Sequence, residues 1–170
     1  MLDRAINGDK QAFTSLVRQY QDRIFGFIMR MTANRESALD LTQDSFLAVW
    51  QNLPGFRRDS SFSTWLYQIA SNKTINHLKK AKREVPLADN YDAPTNSAGP
   101  DDEYERKEQE LLLTQALTAL PNRQRLVFNL RYYEHLKFHE IARMQGISVS
   151  AVKTSFAEAL KKLKTRLGGK

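Results

Sequence analysis

The chain is predicted to be all-α: two small helical bundles joined by a flexible acidic linker, the second bundle containing a helix-turn-helix. Three observations predict this. Apolar residues recur at spacings of three and four along most of the 170 residues, which places them on single helix faces. No segment alternates with period two over a useful length, and no internal repeat is visible. The charge falls into blocks: residues 1–83 carry 13 Lys/Arg against 7 Asp/Glu, residues 84–105 carry 7 acids and no Lys/Arg, and residues 106–170 carry 13 against 5. Two basic blocks of +6 and +8 therefore flank an acidic strap of −7.

The elements follow in order. Phe13, Leu16, Val17, Tyr20, Ile24, Phe27, Ile28 and Met31 line one face of a helix from residue 9 to about 33, with Asp9 as its N-cap. Asn34 caps a second helix, and Glu36 sits in its first turn where the dipole favours an acid. That helix runs to Asn52 with Leu39, Phe46, Val49, Trp50 and Leu53 as its apolar side, and Pro54-Gly55 ends it. Residues 56–61 form a loop, and a third helix covers Phe62 to Arg83. Residues 84–105 hold three prolines and lose all hydrophobic period, so they read as a mobile linker.

Helix resumes near Glu105 and runs to Leu120. Pro121 disfavours helix at the residue before it, so a new helix begins at Asn122, lined by Leu126, Val127, Leu130 and Tyr133. A short helix spans Phe138–Gln145, with Ile141, Ala142 and Met144 for burial. Gly146 is the turn. Ser148 caps a last helix, Val149–Leu167, whose inner face reads Val152, Phe156, Ala159, Leu160, Leu163 and Leu167. The domain boundaries are thus 1–83, a linker at 84–105, and 106–170.

Composition narrows the function classes. Hydrophobic content is 41%, enough for packed cores. There is no cysteine, which removes disulfides and thiolate metal sites and fits a reducing compartment. The start, Met1-Leu2-Asp3-Arg4, lacks the apolar run of a signal peptide, and no stretch approaches the roughly 18 apolar residues of a membrane span. A cytoplasmic protein is expected. With net charge +7 and pI about 9.7, a polyanionic partner is one reading and charged, solvated faces the other.

Two segments carry chemistry. In Phe138–Thr154 a small residue, Ala142, sits where two helices must cross closely. Gly146 permits a left-handed turn, and Ile147 and Val152 can bury against the first helix. This is the layout of a helix-turn-helix, whose second helix enters the major groove. An ordinary helical corner with a glycine cap is the alternative. The helix-turn-helix reading exposes Ser150, Lys153, Thr154, Ala157, Glu158 and Lys161. In the second segment, Phe62 and Trp65 precede amides and hydroxyls and then Lys79, Lys80, Lys82 and Arg83. Aromatic faces can stack on unpaired bases while cations hold phosphates, or the rings can simply be core. The three histidines, His77, His135 and His139, form no metal or catalytic pattern, and no phosphate-cradling glycine loop appears. No enzyme, cofactor or metal is expected.

Three segments together resemble one known family. Asp40-Leu41-Thr42-Gln43-Asp44-Ser45-Phe46-Leu47-Ala48-Val49-Trp50 resembles the polymerase-binding helix of sigma factor region 2. Phe62-Ser63-Thr64-Trp65-Leu66-Tyr67-Gln68-Ile69-Ala70 resembles the promoter-melting, minus-ten-reading segment. Leu120-Pro121-Asn122-Arg123-Gln124-Arg125 and the helix-turn-helix resemble region 4. Order and spacing agree over nearly the whole chain, and nothing resembles regions 1.1 or 3. The combination is similar to the extracytoplasmic-function (ECF) subgroup of sigma-70-like factors.

The resemblance implies core RNA polymerase (β′ clamp helices and β flap), promoter DNA and an anti-sigma factor as partners, the last able to hold the chain at the inner membrane face. It implies that Asp40, Gln43, Asp44 and Phe46 meet polymerase. It implies that Phe56, Arg57, Phe62, Trp65, Asn72, Lys73, Asn76, Lys79, Lys80 and Arg83 meet the minus-ten element. Arg125, Ser150, Lys153, Thr154, Ala157, Glu158 and Lys161 would meet the minus-thirty-five element. The acidic linker would thread the template and RNA channels. One stretch departs from the family pattern: Ser155 and Glu158 stand where basic residues are common. A carboxylate can accept from cytosine N4 but repels phosphate, so anchoring would fall to Arg123, Arg125, Lys137, Lys161 and Lys162. A free-standing helix-turn-helix regulator would account for 106–170 alone, and a protein-docking module is a further alternative.

Overall fold

The computed structural model describes residues 1–84 and 101–168. Among the described residues every regular element is helical: α1 (Leu2–Ile6), α2 (Lys10–Thr32), α3 (Arg35–Asn52), α4 (Phe62–Glu84), α5 (Asp101–Thr118), α6 (Asn122–Phe128), α7 (Phe138–Gln145) and α8 (Val149–Leu167). The chain divides into two compact units, Met1–Lys80 and Ala81–Lys170. Residues 85–100, most of the expected linker, lie outside the described residues. α5 begins at Asp101 rather than near Glu105. Asp102 and Glu103 then lie in its first turn, where acids complement the positive end of the helix dipole.

In the first unit α2, α3 and α4 each start on a side-chain cap. The Asp9 carboxylate accepts from the Gln11 and Ala12 N–H groups at 3.0 and 3.1 Å. The Ala12 amide above all, and then the Arg4 guanidinium, hold that carboxyl below the usual carboxylate range. The Asn34 side chain accepts from Ser37 N–H at 2.8 Å, and the Ser61 hydroxyl accepts from Thr64 N–H at 3.1 Å. Pro54-Gly55 closes α3 with a 3₁₀ turn, Leu53–Gly55.

The core of this unit joins Ile24, Phe27, Ile28 and Met31 of α2, Ala38, Leu41, Phe46 and Val49 of α3, and Leu66, Tyr67 and Ala70 of α4. Phe27 meets Tyr67 edge-on at 5.5 Å, and Phe13 meets Trp50 at 4.8 Å. Leu39, expected on the inner side of α3, is 50% exposed. The inward row is Ala38, Leu41, Ser45 and Val49, and Leu39 lies one residue, about 100°, out of that phase. Ser45 tolerates burial because its hydroxyl donates to the Leu41 carbonyl at 2.6 Å. The periodicity did not predict α1, which is too short to show one. It buries Ala5, and its Asp3 pairs with Arg58 of the loop before α4.

In the second unit Ala116, Leu117 and Leu120 pack on Phe128, Ala159 and Leu163. The helix from Asn122 stops being α-helical at Phe128 and continues as a five-residue π turn, Asn129–Tyr133. Residues 125–130 are all buried, more than one face of an α-helix can cover, and the wider turn redistributes them. Gly146 takes φ +64°, the left-handed conformation expected of it, and Ile147 N–H returns to the Ala142 carbonyl at 3.1 Å. Ser148 accepts from Ala151 N–H at 3.0 Å, and Glu140 accepts from Lys137 N–H at 2.7 Å. Leu167, expected on the inner face of α8, is 48% exposed.

Candidate polymerase and nucleic-acid interfaces

The first surface lies on α3. Asp40, Gln43 and Asp44 are exposed, and Leu39 and Leu47 stand out among them at 50% and 55% exposure. Spacings of three and four hold these five residues on one side of the helix. Phe46, grouped with them in the sequence, is only 7% exposed. It contributes to a groove of about 650 Å³ whose walls include Val17, Phe25, Arg35, Leu39 and Asp40. The side chains that a partner can reach are thus acids and an amide interleaved with leucines. Sequence reasoning missed Leu47. Its signal was an apolar residue off the phase of the buried row.

The second surface runs along α4. Phe56 stacks on Trp65 with ring centroids 4.7 Å apart, and Phe62 lies 6.1 Å from Trp65. Phe62 is 8% exposed and belongs to the core, so any base that stacks here meets Trp65 or Phe56 first. Asn72, Asn76, Lys79 and Arg83 are exposed and continue the side that Trp65 begins, at steps of seven, four, three and four. At 1.5 Å per residue the row is about 27 Å long. Arg57 and Lys80 are exposed beside it, and Lys73 is half-buried. A stacking platform thus leads into amides and then cations.

The third surface is the helix-turn-helix, α7 and α8. Val152, Ala159 and Leu163 of α8 face inward. Ser150, Lys153, Thr154, Ala157, Glu158 and Lys161 are exposed. At 100° per residue, Thr154 and Lys161 lie opposite the buried row, whereas Lys153 and Glu158 stand on its two shoulders. On one shoulder the Lys153 ammonium lies 5.9 Å from the Phe138 ring of α7. On the other the Glu158 carboxylate accepts from Gln124 Nε2 at 2.8 Å, and Lys162 Nζ donates to Gln124 Oε1 at 2.9 Å. Gln124 carried no local signal, because its partners lie 34 and 38 residues away.

Arg125 is placed differently from the expectation. It is 7% exposed, and its guanidinium donates to the Thr118 and Leu120 carbonyls at 2.6 and 3.1 Å. Those contacts close the C-terminal end of α5. Burial lowers the guanidinium's pKa, although the group stays protonated at any physiological pH. Arg125 is therefore spent on the backbone and is not presented to phosphate. Arg123, Lys137, Lys161 and Lys162 remain exposed. Among the described residues no three His, Asp or Glu side chains gather as metal ligands, and no helix is long and apolar enough to cross a membrane.

Residues 16–84 match the family description "Sigma-70 region 2", and residues 110–163 match "Sigma-70, region 4". The chain is 32% identical over 169 residues to the RNA polymerase sigma-H factor of Pseudomonas aeruginosa, covering 94% of this chain and 88% of that protein. It is 33% identical to the ECF RNA polymerase sigma factor SigW of Bacillus subtilis, with 91% and 90% covered. Its fold is that of the sigma factor RpoE from Bartonella quintana, solved with the anti-sigma factor NepR: TM-score 0.75 at 20% identity, with 93% and 98% covered. A helix-turn-helix regulator would account for only the second of the two matched regions. With both regions matched in order, the chain belongs to the sigma-70 family of RNA polymerase sigma factors, in its ECF subgroup.

Proposed function

We propose that this chain binds core RNA polymerase through α3, captures and opens the minus-ten element along α4, and reads the minus-thirty-five element with α8. The observation that carries the reading is the order of three exposed surfaces, each with the chemistry its partner requires. Asp40, Gln43 and Asp44 offer charge-assisted hydrogen bonds to a basic coiled coil such as the β′ clamp helices. Phe56 and Trp65 offer ring faces to unpaired bases, and the lysines and arginines down α4 follow the phosphates. In α8, Thr154 and Lys161 point away from the core towards a major groove.

The β flap has a matching seat. An apolar groove of about 500 Å³ is lined by Leu113, Phe128, Tyr132, Tyr133, Leu160 and Leu167, and its Tyr132 ring is 57% exposed. The chain works in the cytoplasm and contributes no catalysis of its own. An anti-sigma factor that covers these faces would hold it inactive; RpoE was solved in complex with the anti-sigma factor NepR, and CnrH with the cytosolic domain of CnrY.

Run-off transcription tests the reading directly. Purified protein, core polymerase and a fragmented genome should together yield new, specific start sites. Absence of initiation with a cognate core would contradict it. Within α8, Lys153→Ala should weaken minus-thirty-five binding by about 1–3 kcal/mol. A footprint and affinity unchanged by that substitution would displace α8 from the groove.

A further inference from the structure

Glu158 is the residue of α8 that the function leaves unexplained. A carboxylate facing phosphate costs affinity, and sequence alone offers it one use, accepting from a cytosine amino group. Its surroundings offer another. Glu158 stands on the α6 shoulder of α8, its carboxylate held by Gln124 Nε2 at 2.8 Å. The other end of the same amide accepts from Lys162 Nζ at 2.9 Å. Glu158 and Lys162 are one helical turn apart, so one glutamine from α6 spans both. Its orientation is set by its two neighbours: the nitrogen must face the carboxylate and the oxygen the ammonium. Lys162 remains exposed, and so does Lys161 beside it.

We propose that Glu158 is a positioning residue that, through Gln124, fixes Lys162 as a phosphate anchor and seats α8 against α6, and that it reads no base. The inference rests on the placement of α8 in the major groove. The clasp is one continuous chain, carboxylate to amide to ammonium, so its members act together. Loss of Glu158 frees the glutamine, and loss of the glutamine frees the lysine. The negative charge is turned sideways into the protein and balanced there, so it need not meet DNA at the centre of the contact. Base reading then falls to Ser150, Lys153, Thr154 and Ala157.

The test uses the full chain assembled with core polymerase, bound to a library of duplexes varied through the minus-thirty-five element. Glu158→Ala, Gln124→Ala and Lys162→Ala should each weaken binding about two- to ten-fold. Each should do so uniformly across sequences and lower the salt slope by about 1. Glu158→Ala combined with Lys162→Ala should cost no more than either alone. Glu158→Gln still presents an oxygen to the Gln124 amide and should restore the salt slope, which a merely structural role would not predict. A change of preference at one base pair with an unchanged salt slope would overturn the proposal in favour of base reading. Additive effects of Gln124→Ala and Lys162→Ala would overturn the relay. If instead the unsubstituted protein shows no minus-thirty-five preference, it is the placement of α8 that fails.

Discussion

Arg125→Ala should destabilise the second unit by about 2–4 kcal/mol, from the loss of two charge-assisted hydrogen bonds to backbone carbonyls. The guanidinium is the meeting point of α5 and α6: it leaves α6 and closes on the Thr118 and Leu120 carbonyls at 2.6 and 3.1 Å. Thr118 is the last residue of α5 and Leu120 lies in the turn that follows, so neither carbonyl has a further helical turn to pair with. Alanine removes the donors and leaves the acceptors facing a gap in the core. Arg125→Lys should recover only part of the loss, because both bonds come from one terminal nitrogen, Nη2, which lies one bond farther from the backbone than a lysine ammonium. Hydrogen exchange at the Leu126–Leu130 amides reads this unit separately from the first. Unchanged protection would show that the contacts carry no weight. Were Arg125 a phosphate anchor instead, substitution would leave protection alone and flatten only the salt dependence of DNA binding.

Reversing the acids of α3 should have the largest effect on function. Asp40→Lys with Asp44→Lys is expected to weaken binding to core polymerase at least about 100-fold, since two charge-assisted bonds become two repulsions. Both residues are exposed and lie off the buried row of Ala38, Leu41, Ser45 and Val49, so the fold has little stake in them. Titration of labelled protein with core enzyme measures the loss. Leu47→Ala in the same assay asks whether the exposed leucine shares the contact. Affinity unchanged by the double reversal would move the polymerase site off α3.

Much of this was legible in the sequence, and the failures have physical reasons. Caps were readable because Asp9, Asn34 and Ser148 act on amides two or three residues away. Gly146 was readable because its backbone conformation excludes most side chains. Leu39 was misplaced because it stands seven residues, two helical turns, before Phe46 and shares its phase, yet only Phe46 is covered. Arg125 was misplaced because an arginine in a basic segment looks like a phosphate ligand. Its true partners, two carbonyls across the α5–α6 turn, leave no trace in composition. The Gln124 clasp was invisible for the same reason, its members joined only by the packing of α6 on α8. Local rules read local structure, and side chains that bridge distant segments require the fold.

The π turn at Asn129–Tyr133 carries a consequence for how this half of the molecule is indexed. It holds Tyr132 and Tyr133, two walls of the apolar groove, and four residues separate it from α7 and the helix-turn-helix. A turn with i to i+5 bonding holds one residue more than the α-helix it interrupts. Deleting that residue would leave a regular helix and rotate everything after it by about 100° around α6. The tyrosines would leave the groove, and α7 would leave its seat. The extra residue is a gear tooth: it sets the angle between the groove and the reading helix, and a single-codon deletion there should be far less tolerated than one in the loop before α4.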